Sequence, residues 1–394
     1  MSMVEWKKLQ DIAIYRRGSF PQPYGNEEWY DGPDSLPFVQ VADVDEGSMK
    51  LKYKTHQRIS IKAMPKSVFV PQGTVVVTLQ GSIGRVAITQ YDSYVDRTLG
   101  IFEGYKIDIN KEYFAFQLAN IFAIKRDKAK GSTIKTITKE EFSSFVIPLP
   151  SIVEQQRIVG ILDTFTSSIE NLKEQIAQRR KQYEYYRDQL LTIEEEDVFE
   201  RLSFGKDFLL KARIGWQGLT KKEYRESGEY KLITGTDFTK YNRIDFDNCV
   251  YVEKDRYEQD PYIQVHEDDV LITKDGTLGK IAYIDTMDMP ATLNGGVFVV
   301  RDNSGRVLQK FLMYYLTSSY FLNWMKHNHT QGSIQHLTQA LLSKFTIPVV
   351  SKEKQKDIVG ILDTFSGSIQ NLEAQLALRQ KQYEYYRNKL LTFE

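Results

Sequence analysis

The sequence contains one long internal repeat. The stretch VGILDTF occurs twice, 200 residues apart, and so does QYEYYR. Segments 145–193 and 345–393 align without a gap, and 30 of their 49 positions are identical. A unit this long that is used only twice is not typical of solenoids, which stack many short units. The repeat therefore predicts a chain made of two related halves.

Each copy of the repeat has the features of one long helix. Ser151 and Ser351 follow proline-containing segments and are expected helix N-caps, and Glu154 completes a capping box in the first copy only. Apolar residues then recur at alternating spacings of four and three, the heptad of a coiled coil. Arg179 and Arg379 occupy one position of this seam, where a polar residue can fix register and partner orientation. The remaining predicted seam residues are Ile158, Leu162, Phe165, Ile169, Leu172, Ile176, Tyr183, Tyr186 and Leu190 in the first copy, and Ile358, Leu362, Phe365, Ile369, Leu372, Leu376, Tyr383, Tyr386 and Leu390 in the second.

This periodicity alone also fits a helix that dimerises with another chain. Two matched helices within one chain can instead satisfy each other and act as a rigid spacer, and the duplication favours this interpretation. From Ile158 to Leu190 such a helix is roughly 50 Å long.

The segments outside the repeat, 1–144 and 198–344, each indicate a mixed α and β domain. The β-branched runs TVVVTL and DVLITK predict strands. The glycine-rich turns QGSIGR and DGTLGK follow these runs at matching positions, so the two domains are expected to share a fold. The predicted fold class is α+β, in the order domain–helix–domain–helix. The predicted boundaries are 1–150 for the first domain, 151–193 for the first helix, 194–345 for an acidic linker with the second domain, and 346–394 for the second helix.

Composition limits the classes of function. The chain has 52 basic and 52 acidic residues, and this zero net charge is unusual for a nucleic-acid-binding protein. Residues 1–150 carry 20 Lys and Arg against 17 Asp and Glu, a balance of +3, so a phosphate-binding surface must be a local patch. The single cysteine, Cys249, excludes an internal disulfide and fits a reducing compartment. Without a signal-peptide pattern or an apolar run of about 18 residues, a soluble cytoplasmic protein is expected, without a membrane partner.

The two glycine turns permit several interpretations. They lack the Walker lysine and the full dinucleotide fingerprint, which disfavours nucleotide binding. They fit simple turns between strands, and they also fit loops that bring backbone N–H groups and Arg85 or Lys280 to a DNA phosphate.

A second candidate region precedes the repeat in each half. His327, His329 and His336 suggest a metal site, but no cysteine accompanies them and their spacing matches no zinc pattern. The matching segment of the first half, 125–135, is rich in lysine instead. A polar to basic surface that contacts DNA and a solvated helix end both fit these two segments, and no metal is expected.

No catalytic motif is evident, whether a nucleophile elbow, a metalloprotease helix or a methyltransferase signature. Catalytic residues are therefore predicted to be absent. The predicted DNA-binding residues are Arg16, Arg17, Gly81, Ser82, Arg85, Lys128, Lys130, Lys135, Lys274, Thr277, Lys280, His327, His329 and Gln331. Replacing Lys128 and Lys130 by alanine is predicted to weaken DNA binding and to flatten its salt dependence.

The residues also resemble one family along the whole chain. The segments IPLPSIVEQQRIVGILDTF and IPVVSKEKQKDIVGILDTF, the GRVAI that follows a strand, and RIGWQGLTKKEY at 213–224 are similar to the specificity subunits of type I restriction–modification systems. The second copy has Lys354 and Lys356 where the first has Glu154 and Gln156, so the partner-facing surfaces of the two helices are not expected to be equivalent.

The resemblance implies a function for each part. Each variable domain is a target-recognition domain that reads one half of a bipartite, asymmetric target in double-stranded DNA. The two long helices pack antiparallel, set the gap between the half-sites and dock two methyltransferase subunits, which restriction and translocase subunits join. S-adenosylmethionine, ATP and Mg bind those partner subunits, and this chain itself holds no cofactor.

Two rival functions remain. A helical adaptor that scaffolds proteins without binding DNA fits the zero charge and the coiled coil, but it gives no reason for the two domains to diverge. An enzyme with an unrecognised site is the third interpretation, and it predicts that only one half is catalytic.

Overall fold

The computed structural model describes residues 4–45, 47–128, 137–328 and 337–393. The chain forms two compact units, unit 1 with Met1–Glu174 and Ala374–Glu394, and unit 2 with Gln175–Glu373. Each boundary lies inside a long helix. Each unit therefore contains one globular domain, the first part of one long helix and the last part of the other.

Two of the helices have 40 residues each, and at 1.5 Å per residue each is about 60 Å long. Both begin at the predicted N-caps, because Ser151 Oγ accepts from Glu154 N at 3.3 Å and Ser351 Oγ accepts from Lys354 N at 3.1 Å. The expected capping box at Glu154 is wrong, since its carboxylate accepts both of its hydrogen bonds from Arg157. The described helices are α1 Leu9–Ile12, α2 Lys111–Lys128, α3 Lys139–Ser143, α4 Ile152–Leu191, α5 Lys254–Glu258, α6 Gln309–Thr317, α7 Ser319–Asn328, α8 Gln339–Leu342 and α9 Lys352–Leu391.

The domain of unit 1 is built from two four-stranded sheets and one two-stranded ribbon. One sheet has the antiparallel order β2-β9-β6-β7, and the other has the order β4-β3-β8-β5, in which β3 and β8 are parallel. The ribbon pairs β1 with β10 directly before α4. The strands are β1 Glu5–Lys8, β2 Ala13–Arg17, β3 Leu36–Val39, β4 Gln57–Ile59, β5 Val68–Val70, β6 Val75–Thr78, β7 Val86–Ile88, β8 Ser93–Val95, β9 Leu99–Tyr105 and β10 Val146–Leu149.

The domain of unit 2 repeats this topology strand for strand. Its sheets have the orders β12-β19-β16-β17 and β14-β13-β18-β15, again with one parallel pair, and its ribbon pairs β11 with β20. The duplicated architecture predicted from the sequence is therefore confirmed, including the shared fold of two segments of weak identity. The strands are β11 Glu200–Ser203, β12 Phe208–Ala212, β13 Tyr230–Ile233, β14 Val250–Val252, β15 Gln264–Val265, β16 Val270–Thr273, β17 Ile281–Tyr283, β18 Ala291–Leu293, β19 Val297–Asp302 and β20 Thr346–Val349.

Each domain core includes the end of the long helix that begins in the other unit. In unit 1, Leu391 of α9 is buried in the core with Tyr113 and Phe114, and Gln117 Nε2 donates to its carbonyl oxygen at 3.2 Å. In unit 2, Leu191 of α4 is buried in the matching core. Both long helices are thus held by globular packing at their two ends.

Within each unit the two helix segments are antiparallel and share one aromatic arrangement. Phe165 of α4 stacks on Tyr386 of α9, with ring centroids 5.2 Å apart, and the Arg379 guanidinium lies 5.7 Å from the same ring. In unit 2 the roles are exchanged, so that Phe365 contacts Tyr186 and Arg179. The two arginines of the seam thus lie over phenylalanine rings, and cation–π attraction offsets part of the cost of placing a charged group in the seam.

The predicted seam residues are buried or half-buried, except Tyr186 and Tyr386. Ile158, Leu162, Ile358 and Leu362 are almost completely buried, since their helix starts also pack on a domain core. The described helices include no segment long and apolar enough to cross a membrane.

Candidate nucleic-acid interface

One edge of the main sheet of unit 1 brings several predicted DNA-binding residues together. β2 and β6 both run antiparallel to β9, so they end at the same edge, with Arg17 opposite Gly100 and Thr78 opposite Leu99. Arg16, next to Arg17, is also exposed, and its Nη1 lies 3.7 Å from Glu103. The glycine turn follows β6 at this edge, so these arginines and the turn form one surface.

The guanidinium of Arg17 also contacts the first described residue after the lysine-rich segment. Its Nη2 donates to the carbonyl oxygen of Ile137 at 3.5 Å. Lys128 is the last residue of α2, while Lys130 and Lys135 lie outside the described residues. Their assignment as DNA contacts therefore stays a prediction.

The glycine turn of unit 1 is held by one buried threonine. Thr78 Oγ1 donates to Ser82 O at 2.5 Å and accepts from Arg85 N at 2.9 Å. Gly84 has a φ of +82°, and a Cβ there would lie 2.5 Å from Phe122, so the fold itself requires glycine. The exposed tip is Gly81–Ser82, and the Arg85 side chain turns back to donate to Val44 O at 3.4 Å.

The turn of unit 2 has the same geometry. Thr273 Oγ1 donates to Thr277 O at 2.5 Å and accepts from Lys280 N at 2.9 Å. Thr277 lies at the exposed tip, and Lys280 Nζ donates to Gly235 O at 3.5 Å. The two turns are therefore rigid connections between strands whose tips present a hydroxyl and backbone groups. These uncharged groups could form hydrogen bonds with phosphate oxygens or base edges.

Of the remaining predicted residues of unit 2, two lie in the described part of the chain. Lys274 is half-buried, with its ammonium 3.4 Å from Asp275, and its carbonyl oxygen accepts from Leu337 N at 3.1 Å. His327 is exposed at the end of α7, where Nδ1 donates to Asn323 O at 2.7 Å. His329 and Gln331 lie outside the described residues, as does His336 of the metal hypothesis. Among the residues that are described, no cluster of His, Cys, Asp and Glu could hold a metal ion.

Sequence reasoning missed a buried glutamine that fixes each long helix to its domain. Gln155 Oε1 accepts from Asn110 N at 3.0 Å, and Gln355 Oε1 accepts from Leu308 N at 2.7 Å. Gln155 Nε2 donates to Pro150 O, and Gln355 Nε2 donates to two carbonyl groups. The sequence carried one signal for this role, because the glutamine is the same in both copies while the residues beside it differ.

A charged cluster between the domain and the helices of unit 2 was also missed. The Glu373 carboxylate accepts from Lys240 at 2.7 Å and also from Tyr241 and Arg180. Burial opposes ionisation of Glu373, but these three donors outweigh it and lower the pKa of the carboxyl to about 2. In unit 1 the hairpin and the helix are joined by an ion pair between Lys50 Nζ and Glu170 Oε2 at 2.6 Å.

Arg213, in the segment RIGWQGLTKKEY, has a structural role. Its side chain is buried, and its guanidinium donates to the carbonyl oxygens of Leu293, Gln217 and Arg256 and to the side chains of Gln259 and Thr292. Burial lowers the pKa of Arg213, and this network of acceptors compensates the cost of placing a cation inside the domain.

The comparisons agree with this architecture. The family model of the type I restriction modification DNA specificity domain matches residues 1–179 and 217–378. These matches cover most of the chain, and the chain therefore belongs to this family, as its sequence motifs predicted.

The relatives include proteins of known class. Over 269 residues the chain is 30% identical to a type I restriction enzyme specificity subunit of Escherichia coli, and the aligned part covers 64% of each protein. Specificity subunits are non-catalytic, and the catalytic activities of their complexes lie in other subunits.

Two solved structures share the fold. The crystal structure of a type I restriction–modification S subunit from M. genitalium superposes with a TM-score of 0.60 and 16% identity, over 100% of this chain and 97% of that one. A structure reported for complex assembly and conformational transition of the type I system gives a TM-score of 0.63 and 15% identity, covering 98% and 96%. At these identities the likeness concerns the fold alone.

Proposed function

We propose that the chain is the non-catalytic DNA-recognition subunit of a type I restriction–modification complex. Each globular domain reads one half of a bipartite, asymmetric target in double-stranded DNA. The observation that carries the proposal is that two domains of one topology, with different exposed residues, are attached to helices of nearly identical sequence. A protein that reads two different half-sites needs this combination, whereas a simple adaptor does not.

The long helices serve two purposes in this proposal. They set the number of unread base pairs between the half-sites, and their repeated sequence docks two methyltransferase subunits, to which restriction and translocase subunits are added. S-adenosylmethionine, ATP and Mg bind those partners. The support for docking is that the exposed Tyr185 and Tyr385 belong to identical sequence in both copies, although neither is needed in a domain core.

A map of methylated bases tests the recognition role. The chain is expressed together with a methyltransferase subunit of a type I system, and the map is compared with that of cells lacking the chain. Loss of one gapped, asymmetric motif in those cells is the expected result. Replacing residues 1–144 by the corresponding domain of a relative should then change one half of the motif and leave the other unchanged. An unchanged map would instead favour the adaptor.

The spacer role has its own test. Inserting one heptad after Glu174 and one after Ala374 keeps the seam in phase and lengthens each helix by about 10 Å. At 3.4 Å per base pair, the gap of the methylated motif should grow by about three base pairs while both half-sites stay the same. Methylation of the original motif by this variant would refute the spacer role.

A further inference from the structure

The segment between β3 and β4 of unit 1 forms a hairpin that has an equivalent in unit 2. The buried Asp43 accepts from Gln40 N at 2.9 Å and from His56 N at 2.8 Å, and the buried Asp237 accepts from Thr234 N at 2.7 Å and from Asn248 at 2.9 Å. An isolated bridge follows each aspartate, Val44 with Leu51 and Phe238 with Ile244. The two hairpins can therefore be matched on both sides of their tips, where the hairpin of unit 1 has one additional residue.

The matching places basic residues of unit 1 where unit 2 has acidic residues. Lys52 N donates to Asp43 O at 2.8 Å, and Asp245 N donates to Asp237 O at 2.8 Å. Lys52 thus corresponds to Asp245. It follows that Lys-Tyr-Lys at 52–54 in unit 1 replaces Asp-Phe-Asp at 245–247 in unit 2.

The aromatic residue differs as well. Tyr53 is 101% exposed, so its ring contributes nothing to the packing of unit 1. Phe246, its counterpart, packs against the core cluster of unit 2 with the Lys231 ammonium 5.4 Å from its ring. A fully exposed tyrosine between two exposed lysines has no structural role here, and within the described residues neither lysine has an ion-pair partner.

The hairpin lies beside the surface formed by the glycine turn. Arg85 of that turn donates to Val44 O at 3.4 Å, and Ile88 N of the following strand donates to Met49 O at 3.0 Å. The main chain of Lys52 is also held in place, because its carbonyl oxygen accepts from Tyr91 Oη at 2.8 Å. The basic segment is therefore presented from an ordered base.

We propose that Lys52, Tyr53 and Lys54 bind the sugar–phosphate backbone of DNA, and that unit 2, with acidic residues at the same place, makes no such contact. The two lysines neutralise phosphates, and the tyrosine donates its hydroxyl to a phosphate oxygen. This contact deepens the proposed function and rests on it. It adds affinity without sequence information, so unit 1 contributes more of the salt-dependent binding than unit 2 does.

The test uses the assembled methyltransferase complex and a duplex that contains its own methylated motif. The Kd is measured between about 50 and 200 mM salt for the wild type and for Lys52→Ala/Lys54→Ala. Losing two phosphate contacts should make the slope of log K against log salt shallower by about 1.8. The factor by which Kd rises between the two salt concentrations should therefore be about twelvefold smaller in this variant than in the wild type. Tyr53→Ala should raise Kd about tenfold, as expected for a hydrogen bond to a charged group. The methylated motif should not change.

The matched control removes the same charge from the opposite edges of the two sheets. Lys62 follows the far end of β4, and Lys106 follows the far end of β9. Both are exposed, so Lys62→Ala/Lys106→Ala should leave the slope as in the wild type.

An unchanged slope in Lys52→Ala/Lys54→Ala, with the motif still bound by the wild type, would overturn the contact and leave the proposed function standing. Weaker association with the methyltransferase subunit at an unchanged slope would assign the segment to protein binding, which also overturns it. Failure of the wild-type complex to prefer its motif over an unrelated duplex would instead count against the proposed function.

Discussion

Replacing Gln355 by alanine should loosen the attachment of α9 to its domain. Its side chain is completely buried, where Oε1 accepts from Leu308 N at 2.7 Å and Nε2 donates to Arg306 O at 3.0 Å and to Val350 O at 2.9 Å. The alanine leaves one buried N–H without a partner, weakens two carbonyl groups and opens a small cavity. A buried polar group without a partner costs about 1–3 kcal/mol, so we expect the local free energy of opening to fall by at least about 2 kcal/mol.

Hydrogen exchange followed by mass spectrometry measures this loss directly. Because a tenfold change corresponds to about 1.4 kcal/mol, the amide of Leu308 should exchange about 30 times faster in Gln355→Ala. Gln155→Ala is the matched variant, which should expose the amide of Asn110 in unit 1 and leave Leu308 protected. Lys356→Ala, which changes an exposed neighbour, should alter neither amide.

The same variant links this attachment to function. If Gln355 orients the second domain on its helix, methylation by Gln355→Ala should slow while the methylated motif stays the same. Unaltered protection of Leu308 would refute the structural reasoning, and a changed motif would show that the glutamine acts on base reading rather than on attachment.

Three further predictions concern stability. Because the pKa of Glu373 is lowered to about 2, its ion pairs should stabilise unit 2 above about pH 4.5. This stabilisation should be lost as the pH falls towards 2. Urea unfolding at several pH values should show the loss in the wild type and not in Glu373→Gln. Gly84→Ala should destabilise unit 1 by more than about 2 kcal/mol, since it combines a φ of +82° with a 2.5 Å contact to Phe122, and Gly279→Ala should cost less because its neighbour is the flexible end of a methionine; thermal melts that rank the two in the opposite order would contradict this explanation. Arg213→Lys should destabilise unit 2 by about 3 kcal/mol despite keeping the charge, because an ammonium cannot reproduce the planar fork that serves five acceptors; a denaturation midpoint equal to that of the wild type would refute it.

The duplicated architecture could be predicted because it depends on periodic features of sequence. Heptad spacing and the N-cap serines identified both long helices, and the matching glycine turns identified two domains of one fold. Contacts between residues distant in the chain could not be predicted in this way. The bonds of Gln355 join residues 47 and 49 positions apart, and Glu373 meets Lys240 across 133 positions.

The candidate DNA surface was harder to predict for a related reason. A basic residue attracts attention in a sequence whether or not the fold leaves it available. Arg85 turns back onto the domain, while Lys52, Tyr53 and Lys54 were passed over although the structure exposes them. Their significance depends on the comparison with Asp245–Asp247, and only the superposable hairpins define that comparison.

The packing of Leu391 into the core of unit 1 has a consequence for how the protein is made. The helix segment that completes this core is translated only after the whole of Gln175–Glu373, although the rest of unit 1 precedes it. At elongation rates of about 5–20 residues per second, the first domain waits roughly 10–40 s for its last structural element. During that interval its open helix site is a place where a nascent chain could pair wrongly with a neighbouring copy on the same messenger RNA. Slow ribosomal passage through the second half therefore bears on the yield of the first.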